Sequence, residues 1–164
     1  MSAIAWMRSI LGAIPHFTLE EIEHSYQQIR LPERATKHSA GYDFFVPVRI
    51  TIPPHSSCTI PTGIKCRFNS EEKKLWYLAL HIRSSVGIKR GVIMSNGVGI
   101  IDADFYNNPE NEGNITLALT NTSSCTQVFD AGDRICQGIF SIYGLAEDDD
   151  AEEERSSGIG STGH

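Results

Sequence analysis

From residue 40 onward the apolar residues fall into short runs cut by Gly, Pro and Asn, with little helical periodicity. Residues 75–82 (Leu75-Trp76-Tyr77-Leu78-Ala79-Leu80-His81-Ile82) predict a strand, and so do residues 40–46, where Asp43 sits among aromatic neighbours. Further strands are predicted around 49–52, 58–60 and 63–68, separated by Pro53-Pro54 and Pro61-Thr62-Gly63. Residues 92–95 and 98–101 flank Asn96-Gly97, which predicts a tight hairpin. Residues 114–120 alternate imperfectly and read as another strand; residues 132–140 begin as a turn and become one. Helical spacing is confined to residues 19–29, where Leu19, Ile22, Tyr26 and Ile29 follow a Thr18-Leu19-Glu20-Glu21 capping box. Many short punctuated strands predict an all-β sandwich or jelly-roll-like barrel. The absence of a βαβ rhythm argues against a Rossmann-type nucleotide fold.

Composition changes this picture in three places. The chain has 164 residues, enough for one core. Seven carboxylates occupy residues 147–154, and setting those seven aside turns the net charge of −6 into +1. A near-neutral body with a local acidic tether lacks the extended basic face that a nucleic-acid partner needs. Cys58, Cys66, Cys125 and Cys136 show no metal-ligand spacing and suit free thiols in a reducing cytoplasm. The apolar run at residues 3–11 is too short to span a bilayer and contains Arg8, so no membrane span is expected. The organisation reads as an N-terminal extension over 1–30, a β-domain over 31–145, an acidic linker over 146–154 and a C-terminal segment over 155–164.

Candidate chemistry gathers in residues 83–105. Arg83, Ser84 and Ser85 stand where the strand at 75–82 gives way to a turn, and a guanidinium with two hydroxyls suits a phosphate chain. Asp102 and Asp104 emerge where the strand after Asn96-Gly97 stops being apolar, a position suited to a general base. The final ten residues, rich in Gly, Ser and Thr with Arg155, fit either a solvated tail or a lid that orders on phosphate.

Five segments in order then resemble the homotrimeric dUTPase family: Ala40-Gly41-Tyr42-Asp43-Phe44, Arg83 through Gly91, Gly99 through Phe105, Gly132 through Gln137, and Arg155 through Gly163. The resemblance covers about three quarters of the chain and implies a distorted jelly-roll or β-clip barrel with a flexible C-terminal lid. It implies hydrolysis of dUTP to dUMP and pyrophosphate with Mg2+, which keeps the nucleotide pool free of dUTP and supplies the dTMP precursor. Asp102 falls on the family's catalytic base, directing water at the α-phosphorus. Arg83, Ser84, Ser85 and Gln137 fall on phosphate contacts, and Arg155, Gly160, Ser161 and Thr162 on the closing lid. Mg2+ would ride on triphosphate oxygens and water, with Asp43 near it through water and no direct protein ligation. Asn96 and the backbone of Gly99 and Ile101 would read uracil. Three subunits would build each site, the first, second and fourth segments from one chain, the third from another and the fifth from the remaining one.

Departures from the family pattern mark what is particular here. Phe105 stands where tyrosine is usual beneath the deoxyribose, with Tyr106 as the alternative discriminator. Ile159 replaces the phenylalanine that stacks on the base, Ser157 replaces a glycine, and residues 106–113 form a longer loop. Two rival readings are weaker. A dCTP deaminase needs a glutamate where Ala118 stands. A regulatory protein without turnover has only Ile159 and the long loop in its favour, against Asp102, Gln137 and Arg155 in place.

Overall fold

The computed structural model describes residue 27, residues 29–68 and residues 75–151. The chain runs through β1 (Glu33–Arg34), β2 (Tyr42–Phe45), β3 (Ile50–Ile52), β4 (Ser57–Pro61), β5 (Trp76–Ile82), helix α1 (Ser84–Arg90), β6 (Val92–Met94), β7 (Gly99–Ile101), a 3-10 turn (Ala103–Phe105), β8 (Thr116–Asn121), β9 (Gln127–Phe129) and β10 (Arg134–Ile142). The strands make a five-stranded sheet in the order β1-β2-β10-β5-β7, a pair β3-β9, and a three-stranded sheet β4-β8-β6. The all-β expectation holds, and the strands form these three sheets.

Alternation decides which side chains meet between the sheets. In β8, Leu117, Leu119 and Asn121 turn inward while Thr116, Ala118 and Thr120 face out. Leu117 and Leu119 join Ile52, Ile60, Leu80, Phe129 and Ile135 in one core, each burial contributing about 1.5–3 kcal/mol. Asn121, fully buried, is the polar fastener of that core. Its Nδ2 lies 3.0 Å from the carbonyls of Ile52 and Pro53 and 2.8 Å from that of Cys125, and its Oδ1 accepts from Ser123 N at 3.0 Å and Ser123 Oγ at 2.7 Å. A buried amide filled on both ends is stable where an unfilled one costs about 1–3 kcal/mol.

Four local expectations are corrected. Residues 63–68 form no strand: the backbone pairing stops after Thr62 N to Ile115 O at 2.9 Å and Ile115 N to Ile64 O at 2.8 Å, and side chains add to it, with Thr62 Oγ1 donating to Ile115 O at 2.7 Å and Asn114 Oδ1 accepting from Gly63 N at 3.0 Å. The strands either side of Asn96-Gly97 do not pair with each other. β6 pairs with β8 and β7 with β5, so the turn closed by Gly97 N to Met94 O at 3.0 Å crosses from one sheet to the other. The segment after Arg83 is not a turn but two turns of helix, α1. The helix was signalled at its far end, where Lys89 and Arg90 fill the last turn and Gly91 caps it at φ 65°, a left-handed position suited to glycine. Pro32 predicts that residues 31–36 leave any helix for a loop, and within that segment residues 33–34 add a short edge strand to β2. The helix expected over 19–29 lies almost wholly outside the described residues. No described helix is long and apolar enough to cross a membrane.

Candidate active site

β2 and β10 bring one group of candidates together. Their antiparallel register sets Gln137 opposite Asp43, and the β10–β5 register sets Gln137 opposite His81, so the three share one face of the five-stranded sheet. The turn before β10 is locked by Asp130 N to Asp133 Oδ2 at 2.9 Å and by Val46 N to Asp133 O at 2.9 Å, which fixes where Arg134 enters the strand. Asp43, 5% exposed, lies between two cations. Its Oδ1 is 3.0 Å from Arg83 Nε and its Oδ2 is 3.2 Å from Arg134 Nη1.

Two guanidinium groups on one carboxylate leave this corner with a net positive charge, as an anion site requires. Arg83 sits at the end of β5, where its N–H donates to Ile135 O at 3.1 Å, and it precedes α1, whose first residues Ser84 and Ser85 are exposed. The Gln137 side chain reaches back over β2: a Cβ on Gly41 would meet Gln137 Oε1 at 2.5 Å. Arg134 was not singled out in the sequence, although it belongs to the quoted Gly132–Gln137 segment; what identifies it is the ion pair to a residue 91 positions away. Beneath the cluster, burial and the Asp43 charge push the Cys136 thiol far up, and burial pushes those of Cys58 and Cys66 to about 11. All four cysteines are free.

Asp43 also bears on metal binding. Among the described residues no group of three or more His, Cys, Asp or Glu side chains could hold a metal ion. Both Asp43 oxygens already accept guanidinium N–H, so the donor set fits a hydrated magnesium triphosphate approached through water, and not a bare ion.

The other group of candidates lies on β7 and beyond. β7 is the terminal strand of its sheet, so one of its edges faces no strand of that sheet. Gly99 and Ile101 lie on it, and Asn96 is exposed in the turn before it. Asp102 follows in extended conformation (φ −77°, ψ 162°), and its carbonyl accepts from Phe105 N at 3.2 Å to open the 3-10 turn. Phe105 is embedded in the core at 5% exposure. The ring of Tyr106 is half-buried and covered by Lys65, whose Nζ stands 4.8 Å from its centroid.

The two groups do not meet within one chain. Ile101 is opposite Leu78, so Asp102 lies past the level of Leu78, whereas Gln137 is level with His81 and Arg83 is two residues further on. At about 3.3 Å per residue and about 4.8 Å per strand, Asp102 is roughly 15–20 Å from Arg83, Gln137 and Asp43. The face between them is apolar, carrying Ala79, Ile139 and Ile100, the last 51% exposed. Arg155, Ile159, Gly160, Ser161 and Thr162 lie outside the described residues.

Comparison with known proteins gives a consistent result. A protein-family model described as dUTPase matches residues 27–163. The deoxyuridine 5'-triphosphate nucleotidohydrolase of Lactococcus lactis subsp. lactis (strain IL1403) is 39% identical over 137 residues, covering 82% of this chain and 89% of the relative. A crystal structure of dUTPase from Streptococcus mutans has a TM-score of 0.66 at 39% identity, covering 74% of this chain and 91% of that one. A point mutant of the dUTPase from phage phi11 of S. aureus, described with coordination of a structural Mg(II) ion, shares the fold at a TM-score of 0.62 and 21% identity, covering 79% and 94%.

Proposed function

The chain belongs to the dUTPase family and hydrolyses dUTP, and from that premise we propose that its active sites are composite. Asp102 of one copy activates the water that attacks the α-phosphorus of a dUTP held by Arg83 and Gln137 of another. The observation that carries this reading is the separation of roughly 15–20 Å between the two groups in one chain. A general base must lie within hydrogen-bond reach of its water, and that water within reach of the reacting phosphorus. A second copy meeting the apolar strip at Ile100 and Ile139 closes the gap, and a head-to-tail ring of three does so for every site.

In this arrangement Arg83, Ser84, Ser85 and Gln137 neutralise and orient the phosphates, and Asp43 holds Arg83 in place through the 3.0 Å ion pair. Magnesium, when bound to the triphosphate, supplies further charge neutralisation of the leaving pyrophosphate. Asn96 and the open edge of β7 at Gly99 and Ile101 read the uracil edge; cytosine would leave buried polar groups unpaired there. Phe105 forms the floor beneath the deoxyribose. Tyr106 is the weaker alternative because Lys65 already covers its ring. Arg155, Ser161 and Thr162 close over the phosphates from a third copy, with Gly160 giving backbone access and Ile159 covering the base.

Subunit mixing tests the composite site. Asp102→Asn and Arg83→Ala should each be severely impaired alone. Unfolded together in equal amounts and reassembled, they should regain activity, with about a quarter of the sites receiving both intact residues by random assortment. A mixture as silent as its parents would place both residues in the service of a single chain and overturn the proposal.

A further inference from the structure

The loop over 106–114 is knotted by its asparagines. Asn108 is 3% exposed, and its amide is filled at every position. Nδ2 donates to Phe105 O at 2.9 Å and to Asn111 Oδ1 at 2.8 Å, while Oδ1 accepts from the backbone N–H of Glu110 and of Asn111, both at 3.1 Å. The backbone closes the same knot, with Glu112 N to Asn108 O at 2.9 Å and Asn107 N to Glu112 O at 3.2 Å. Gly113 packs so tightly that a Cβ there would stand 2.7 Å from Phe105 O. At the far end, fully buried Asn114 ties the loop to Gly63.

Asn108 grips one atom twice, its Nδ2 at 2.9 Å and its backbone N–H at 3.4 Å both donating to the carbonyl oxygen of Phe105, at the end of the turn that starts from Asp102. A loop serving only as a solvent-facing connection needs no buried amide aimed at that oxygen. Excluding a 2′-hydroxyl does need such a restraint. The excluded group is a single oxygen atom, and a ring free to retreat by about 1 Å would admit it.

The geometry points to Asn108 as a positioning residue for sugar selection, acting through the backbone of Phe105. This rests on the assignment of Phe105 to the deoxyribose. Asn108 touches no substrate; it fixes how far the Phe105 ring can yield.

The test is kcat/KM for dUTP and for UTP with the full-length enzyme, in the wild type and in Asn108→Asp, Asn108→Ala and Asn111→Ala. Asn108→Asp keeps both acceptor contacts and loses both donor contacts, to Phe105 O and to Asn111 Oδ1; Asn111→Ala removes the second without the first, so the two variants read together isolate the bond to Phe105 O should the alanine form not fold. Both Asn108 variants should lower the dUTP-to-UTP ratio by about tenfold or more. Asn111→Ala, which leaves the bond to Phe105 in place, should lower Tm and keep the ratio. A folded Asn108→Asp enzyme with an unchanged ratio, losing dUTP and UTP turnover in parallel, would reduce Asn108 to a structural role and overturn the inference. A wild-type enzyme that turns over UTP as readily as dUTP would instead remove the assignment of Phe105, and this inference with it.

Discussion

Asp102→Asn should leave a folded protein that binds dUTP and hydrolyses it about 10²–10⁴-fold more slowly, the range ascribed to a positioned general base. The substitution suits the question because of where Asp102 sits. Its backbone opens the 3-10 turn through the carbonyl that Phe105 N reaches at 3.2 Å, and its side chain does not cap that turn. An asparagine therefore keeps the turn, the shape and the polarity, and lacks the lone-pair basicity of a carboxylate. The signature is a fall in kcat with the Kd for a non-hydrolysable dUTP analogue nearly unchanged. Unimpaired turnover would remove Asp102 from the role of base.

Asp43→Ala should be the most damaging change at the phosphate end. The carboxylate is 5% exposed and accepts from Arg83 at 3.0 Å and Arg134 at 3.2 Å, so its removal leaves two cations facing each other. Breaking a buried ion pair costs about 3–5 kcal/mol, and the partial exposure of both guanidinium groups brings the expected loss nearer 2–3 kcal/mol. Function should suffer separately, because Arg83 loses the contact that aims it, and KM for dUTP should rise by about tenfold or more. Chemical denaturation and initial rates measured on the same preparation separate the two effects. Unchanged stability together with unchanged KM would show that the Asp43 cluster neither supports the fold nor holds Arg83 for substrate.

The strands were legible where side chains alternate or aromatic and β-branched residues crowd together, as in residues 76–82 and 116–121. What escaped the sequence depended on partners far along the chain. Ser84–Arg90 contains Gly87 and a β-branched pair, a poor helix by propensity; tertiary packing of Val86 and the Gly91 cap outweigh that. Asn96-Gly97 marked a turn correctly, but pairing is decided by what each flanking strand finds, and β8 and β5 are better partners than the strands are to each other. β9 is three residues long, recognisable only by its pairing with β3.

The candidate site divides in the same way. Residue types marked Arg83 and Asp102 for their chemistry, and the family resemblance marked Gln137 and Asn96. That Asp43 is clasped by Arg83 and Arg134, and that Asn108 holds the Phe105 carbonyl, are contacts that no local pattern encodes. The gap between the two halves of the site likewise follows from strand register, which sequence motifs do not carry.

The most direct test of the enzyme's selectivity and chemistry together is pyrophosphate release from dUTP, dCTP, dTTP and UTP, each with and without magnesium. Release confined to dUTP and dependent on magnesium is the expected result, since it requires the reaction, the reading of the base and the exclusion of the ribose at once. Comparable release from any of the other three, or none from dUTP, would contradict it.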